Sequence, residues 1–129
     1  MIPKQPEKLR RLVPLARVAS VPASLAFYAK LGFDLVNTLG GDEPPWAWLR
    51  SGQADLMIER ATLPVASDVV SEHPAVLFYL YVDDVYRFHT AISQAGVTAG
   101  ELVFPTHSPM GEFRVVDPDG YVLLVGQNY

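Results

Sequence analysis

Nineteen residues, Leu15 to Phe33, recur as Tyr79 to Val97 at an offset of 64, and this repeat restricts the fold more than any other feature. Val18 falls on Val82, Ser20 on Asp84, Val21 on Val85, Leu31 on Ala95, Gly32 on Gly96 and Phe33 on Val97. Identity is low, yet the physical roles coincide. Each copy opens on an alternating stretch that predicts a strand. Ser20 and Asp84 suit a helix N-cap, because their side-chain oxygens accept orphan amide hydrogens. Val21, Leu25 and Tyr28 in one copy, and Val85, Phe88 and Ile92 in the other, recur at helical spacing. Gly32 and Gly96 then stand where a left-handed C-cap is needed.

After each helix come short strand-like runs parted by turn residues. The first copy continues FDLVNT, PWAWLR and ADLMIER, with Gly40-Gly41 and Ser51-Gly52 between them; the second continues GELVF, GEFRVV and YVLLVGQ, with DPDG (117–120) before the last. The pattern is strand–helix–three strands, twice. One helix per group of strands makes the chain α+β, not doubly wound. The expectation is two tandem βαβββ modules, about 12–60 and 77–127, whose sheets form a curled mixed sheet around a shared cleft. Residues 12–129 are read as a single domain, residues 1–11 as a mobile basic arm, and residues 61–76, with Pro64 and Pro74, as the link.

Charge and composition narrow the partners. The first twelve residues carry Lys4, Lys8, Arg10 and Arg11 against Glu7, and the other 117 hold six basic and thirteen acidic residues. An acidic body argues against nucleic acid and would suit a cationic ligand. No run approaches the roughly 20 apolar residues of a membrane span. Arg17 and two prolines interrupt LVPLARVASVPAS, so a signal peptide is rejected. The chain has no cysteine, which removes thiolate chemistry and permits a reducing compartment, and a cytoplasmic location is expected. No phosphate loop, nucleophile elbow or Ser-His-Asp spacing is present.

SLAFYAKLGF (24–33), YVDDV (81–85), AGV (95–97) and FRVVDPDGYVLLVGQ (113–127) resemble the vicinal oxygen chelate superfamily of glyoxalases, extradiol dioxygenases and fosfomycin and bleomycin resistance proteins. The resemblance covers residues 12–127 and implies the glyoxalase/bleomycin resistance fold. Metal-binding members carry ligands at positions that correspond here to Val13, Leu77 and Leu124, all aliphatic. Glu59 alone has ligand chemistry where some members place a Glu, and one carboxylate does not make a site. His73, His89 and His107 have no short-spaced partner. The expectation is therefore no metal, no cofactor and no catalytic residue. DPDG resembles the start of a calcium loop but lacks its closing ligands, and reads as a hairpin turn.

With Val13 and Leu77 facing the cleft, alternation turns Leu15, Arg17, Tyr79 and Tyr81 the same way, and brings Val122 with Leu124 and Met57 with Glu59. Trp46 shares a face with Trp48, and Glu112 with Arg114. The predicted ligand-binding set is Arg17, Trp46, Trp48, Met57, Glu59, Tyr79, Tyr81, Glu112 and Arg114. The bland alternatives are tyrosines filling a sheet, tryptophans in the core rather than at a ligand or dimer contact, and structural ion pairs Arg17–Glu59 and Glu112–Arg114. The resemblance implies a metal-independent homodimer that sequesters a cationic aromatic drug, such as a bleomycin-like antibiotic, in a dimer-interface cleft and so confers antibiotic resistance. MGEFRVVDPDG (110–120) resembles the corresponding segment of such proteins, with Met110 where a Trp is common. The alternatives are a lyase or oxidoreductase of the glyoxalase/dioxygenase type, and an orphan module with a filled cleft.

Overall fold

The computed structural model describes residues 6–63 and 74–129. Residues 1–5 of the basic arm, most of the link and His73 lie outside them. The elements run β1 (Leu15–Val18), α1 (Val21–Lys30), β2 (Asp34–Thr38), β3 (Trp46–Ser51), β4 (Ala54–Arg60), β5 (Phe78–Val82), α2 (Val85–Gln94), β6 (Glu112–Val116) and β7 (Val122–Gln127).

The repeat is structural as well as sequential. The two ten-residue helices occupy positions 64 apart. Ser20 Oγ accepts the Ala23 amide at 3.2 Å and Asp84 Oδ1 accepts the Arg87 amide at 3.0 Å, so both N-caps form as expected. Both helices end in the same pair of bonds. The Phe33 and Val97 amides return to the Tyr28 and Ile92 carbonyls, and the Gly32 and Gly96 amides to those of Ala29 and Ser93. That is a Schellman cap, and it requires the left-handed backbone both glycines adopt, at φ +93°. Phe33 and Val97 then turn into the core.

The strands form two sheets, ordered β1-β4-β3-β2 and β5-β7-β6. In each, the first strand pairs parallel with the last and the remaining ladders are antiparallel. The first module is a complete βαβββ unit. The second is not, because the expected GELVF strand is reduced to bridges at Ala99 and Val103. Of that run only Leu102 packs against the core, while Val103 and Phe104 stay half-exposed and Pro105 withholds an amide.

One core lies between helices and sheets, built from Val18, Tyr28, Leu49, Ile58, Val85, Ile92, Phe113, Leu123 and Val125 among others. The DPDG segment, the expected hairpin turn, ties the modules together. Asp117 Oδ1 accepts the Asp119 and Tyr121 amides, each at 2.9 Å, while Oδ2 accepts the Tyr28 hydroxyl of α1 at 2.7 Å. Asp119 Oδ1 accepts the Ala19 amide at 2.8 Å. Tyr121 stacks on Phe78 of β5 and donates to the Arg17 carbonyl of β1, so it spans both first strands.

Candidate functional site

Alternation sorts the strands other than β2 into a core face and an open face. Ala16 and Val18, Ala47 and Leu49, and Leu56 and Ile58 are buried toward the helices, as are Phe113, Val115, Leu123 and Val125. The side chains between them point the other way. Cross-strand register then aligns Arg17, Glu59 and Trp46 in one row and Leu15, Met57 and Trp48 in the next. In the second sheet it aligns Tyr79, Leu124 and Arg114, then Tyr81, Gly126 and Glu112. Directly opposed residues share a face. All nine side chains singled out in the sequence thus lie on the open faces of the two sheets.

On the first sheet Arg17 Nε lies 3.3 Å from Glu59 Oε2, an exposed pair. Such a pair holds little energy of its own, about 0–1 kcal/mol, so Glu59 is free to exchange partners. Trp48 is held more firmly. Its Nε1 donates to Asp55 Oδ1 at 3.2 Å, and Arg50 Nε donates to the same oxygen at 2.7 Å. The Arg50 hydrogen bond, then that of Trp48, keeps the Asp55 carboxyl below the usual carboxylate range against its partial desolvation.

On the second sheet Tyr79 and Tyr81 stack with centroids 5.8 Å apart and planes 14° apart. Gly126 lies under the Tyr81 ring, where a Cβ would stand 3.4 Å away, in ordinary van der Waals contact. Glu112 is buried, with its side chain 8% exposed. Its Oε1 lies 3.1 Å from His107 Nε2, which is 3.3 Å from the Tyr79 hydroxyl. A carboxylate at that distance requires Nε2 to carry the proton and donate. Partial desolvation, then the Glu112 charge, raises the Tyr79 pKa, so this phenol stays protonated. Among the described residues Glu112 is paired with His107 and not, as the structural alternative had it, with Arg114, which is exposed.

Three contributors to this face were absent from the sequence reading. Asp55 lies two residues before Met57 on β4, so parity alone could have included it. Arg11 comes from the arm expected to be mobile, and its Cζ lies 5.7 Å from the Trp48 ring centroid. His107 sits on a loop where no periodicity applies. That loop is fixed by the Ser108 and Gly111 amides, which bond back to the Pro105 and Ser108 carbonyls. Gly111 has φ +111° and lies against Phe104 and Leu102. The other described histidine, His89, is structural: Nε2 meets the Gly100 carbonyl at 2.9 Å and the ring stands edge-on to Phe113.

The positions corresponding to the metal ligands of the resembled superfamily do not fit a cation. Leu124 lies between Tyr79 and Arg114, Val13 stands two residues before β1 and Leu77 immediately precedes β5. Their side chains have no donor atom. Among the described residues no three His, Asp or Glu side chains gather as a cation site. What the face offers is aromatic surface beside carboxylates, a combination that accepts flat and positively charged molecules. A shallow depression of about 330 Å³ on the outer side of α2, lined by Tyr86, Arg87 and Thr90 among others, has no such combination. No described helix is long and apolar enough to cross a membrane.

Residues 10–125 match the family model described as the Glyoxalase/Bleomycin resistance protein/Dioxygenase superfamily. A search of curated proteins gave no significant match. Among solved structures the chain is similar to the bleomycin-binding protein from Streptomyces verticillus complexed with copper(II)-bleomycin, at 22% identity and TM-score 0.70, covering 95% of this chain and 99% of that one. It is similar to TnmS3, an antibiotic binding protein from Streptomyces sp. CB03234, at 21% identity and TM-score 0.67, covering 91% and 93%. It is also similar to a lactoylglutathione lyase from Agrobacterium tumefaciens, at 20% identity and TM-score 0.66, covering 95% and 96%. At these identities the likeness is one of fold.

Proposed function

We propose, from the premise that the chain belongs to the Glyoxalase/Bleomycin resistance protein/Dioxygenase superfamily, that it binds a flat, cationic small molecule on its open strand faces and leaves it chemically unchanged. The observation that carries this reading is the buried, oriented carboxylate of Glu112 beside the stacked rings of Tyr79 and Tyr81. Trp46, Trp48 and Glu59 extend the same chemistry on the first sheet. The aliphatic side chains at positions 13, 77 and 124 favour binding over metal-dependent lyase or dioxygenase chemistry. Two structural neighbours are named for binding an antibiotic, and we take a bleomycin-like basic aromatic drug as the first ligand to test.

A homodimer is part of the proposal. Leu35 and Val36 lie half-exposed on the edge strand β2, and Val103, Phe104 and Met110 lie half-exposed beside the Glu112 face. Covering them with a second chain would deepen the faces into clefts and protect an unpaired edge. Sedimentation should then give twice the 14.2 kDa chain mass. The absence of cysteine suits a cytoplasmic setting, which we include in the proposal.

Titration of a panel of basic aromatic antibiotics, bleomycin included, against intrinsic tryptophan emission tests the reading. Binding should shift the emission, and Trp48→Ala should weaken it by about 1–3 kcal/mol if the indole anchors the ligand. Emission and melting temperature that stay unmoved across the panel would overturn the proposal.

A further inference from the structure

The protein already places a planar cation on the candidate face. The Arg11 guanidinium carbon lies 5.7 Å from the Trp48 ring centroid, and Arg11 Nη1 lies 3.7 Å from Asp55 Oδ2. Its neighbours Leu9 and Leu12 are about nine-tenths exposed, so packing of the arm does not put Arg11 there. The seat, by contrast, is rigid. Asp55 Oδ1 is taken by Arg50 and Trp48, which fixes the indole and leaves Oδ2 as the oxygen facing Arg11. The Asp55 side chain is 9% exposed, whereas that of Arg11 is 51% exposed. A built seat therefore holds a weakly tethered occupant.

We propose that Trp48 and Asp55 form a subsite for a guanidinium or amidinium group, and that Arg11 fills it in cis until a ligand displaces it. The inference rests on the reading of the open face as a ligand site, and adds the chemical group that the first sheet selects and the competitor for it. A planar, delocalised cation stacks on an indole while donating to a carboxylate, which a lysine ammonium does less well. An occupant in cis lowers the apparent affinity for any competing cation by the fraction of protein in which the seat is free.

The test uses benzamidine, a planar aromatic amidinium, and benzamide, its neutral analogue. Each is titrated into the full-length wild type, Arg11→Gln and Arg10→Gln, following the indole N–H resonance of Trp48. Arg11→Gln should bind benzamidine about three- to tenfold more tightly than wild type, the range expected for losing one exposed cation–aromatic contact and its ion pair. Benzamide should bind all three proteins alike, and Arg10→Gln should match wild type. Equal benzamidine affinities in all three proteins overturn the subsite but leave the ligand reading standing. Equal tightening in Arg10→Gln assigns the effect to net charge and also overturns it. No response to benzamidine in any protein overturns it too, while the antibiotic panel decides the broader reading separately.

Discussion

Tyr28→Phe isolates one buried bond between the two modules. Only the hydroxyl is removed. The ring keeps its edge contacts with Phe27 and Phe33, at centroid distances of 5.1 and 5.6 Å. Asp117 keeps the Asp119 and Tyr121 amides on Oδ1 but loses the Tyr28 hydroxyl from Oδ2. A hydrogen bond to a charged group in a buried setting is worth about 1.5–3 kcal/mol. For 129 residues the unfolding entropy is roughly 0.27 kcal/mol/K, so a loss of about 2 kcal/mol lowers Tm by about 7 °C. A pH profile supplies the second signature. Burial, then the Asp117 charge, pushes the Tyr28 phenol far above its ordinary value, so the folded state keeps a proton that the unfolded state releases above about pH 10. Wild-type stability should fall above that pH by about 1.4 kcal/mol per unit from this group alone. The gap between wild type and Tyr28→Phe should therefore narrow as pH rises from 10 to 11. Asp117 has the same sign: burial raises its folded pKa, so its contribution is full below about pH 4 and declines as pH climbs through the raised value. Urea melts at pH 7, 10 and 11 decide the matter. A Tyr28→Phe protein within about 0.5 kcal/mol of wild type at pH 7, with a parallel alkaline profile, would refute the stabilising role of the Tyr28–Asp117 bond.

Ser24 is fully buried in α1 and its Oγ has no hydrogen-bond partner among the described residues, so Ser24→Ala should raise stability by about 1 kcal/mol in a thermal melt. Gly111→Ala should lower stability by about 1–3 kcal/mol, because the backbone sits at φ +111° and a Cβ would come within 3.2 Å of Phe104; the same melts check it. Glu112→Gln and Glu59→Gln should both reduce affinity for cationic ligands. The Glu112 effect should survive 0.5 M salt while that of half-exposed Glu59 fades, since screening acts on exposed charges, and titrations at two ionic strengths separate them. Elemental analysis of the purified protein should find no stoichiometric divalent metal.

Much of this architecture is legible in the amino-acid sequence, for particular physical reasons. Helix limits are set by local chemistry, and Ser20, Asp84, Gly32 and Gly96 carry that chemistry in the chain itself. Face assignment needs only a period of two, so one correct phase per strand placed Arg17, Trp46, Trp48, Met57, Glu59, Tyr79, Tyr81, Glu112 and Arg114 on the open faces. The same rule could have added Asp55. What escaped depends on contacts that no period encodes. His107 reaches Glu112 at a separation of 5 in the chain, and Tyr79 at a separation of 28. Arg11 comes within reach of Trp48 because the chain entering β1 runs beside β4, where the Met57 amide bonds to the Pro14 carbonyl. Tyr28 and Asp117 lie 89 residues apart, and their bond needs both modules in place. GELVF has strand composition, yet composition cannot show that Val103 and Phe104 remain half-exposed.

Equilibrium dialysis with mass analysis of both compartments tests the central claim most directly. The protein is dialysed against bleomycin, and the ligand on each side is weighed. The account predicts excess ligand on the protein side, with its mass unaltered and its retention unaffected by a metal chelator. Bleomycin recovered with an altered mass, or distributed evenly across the membrane, would contradict it.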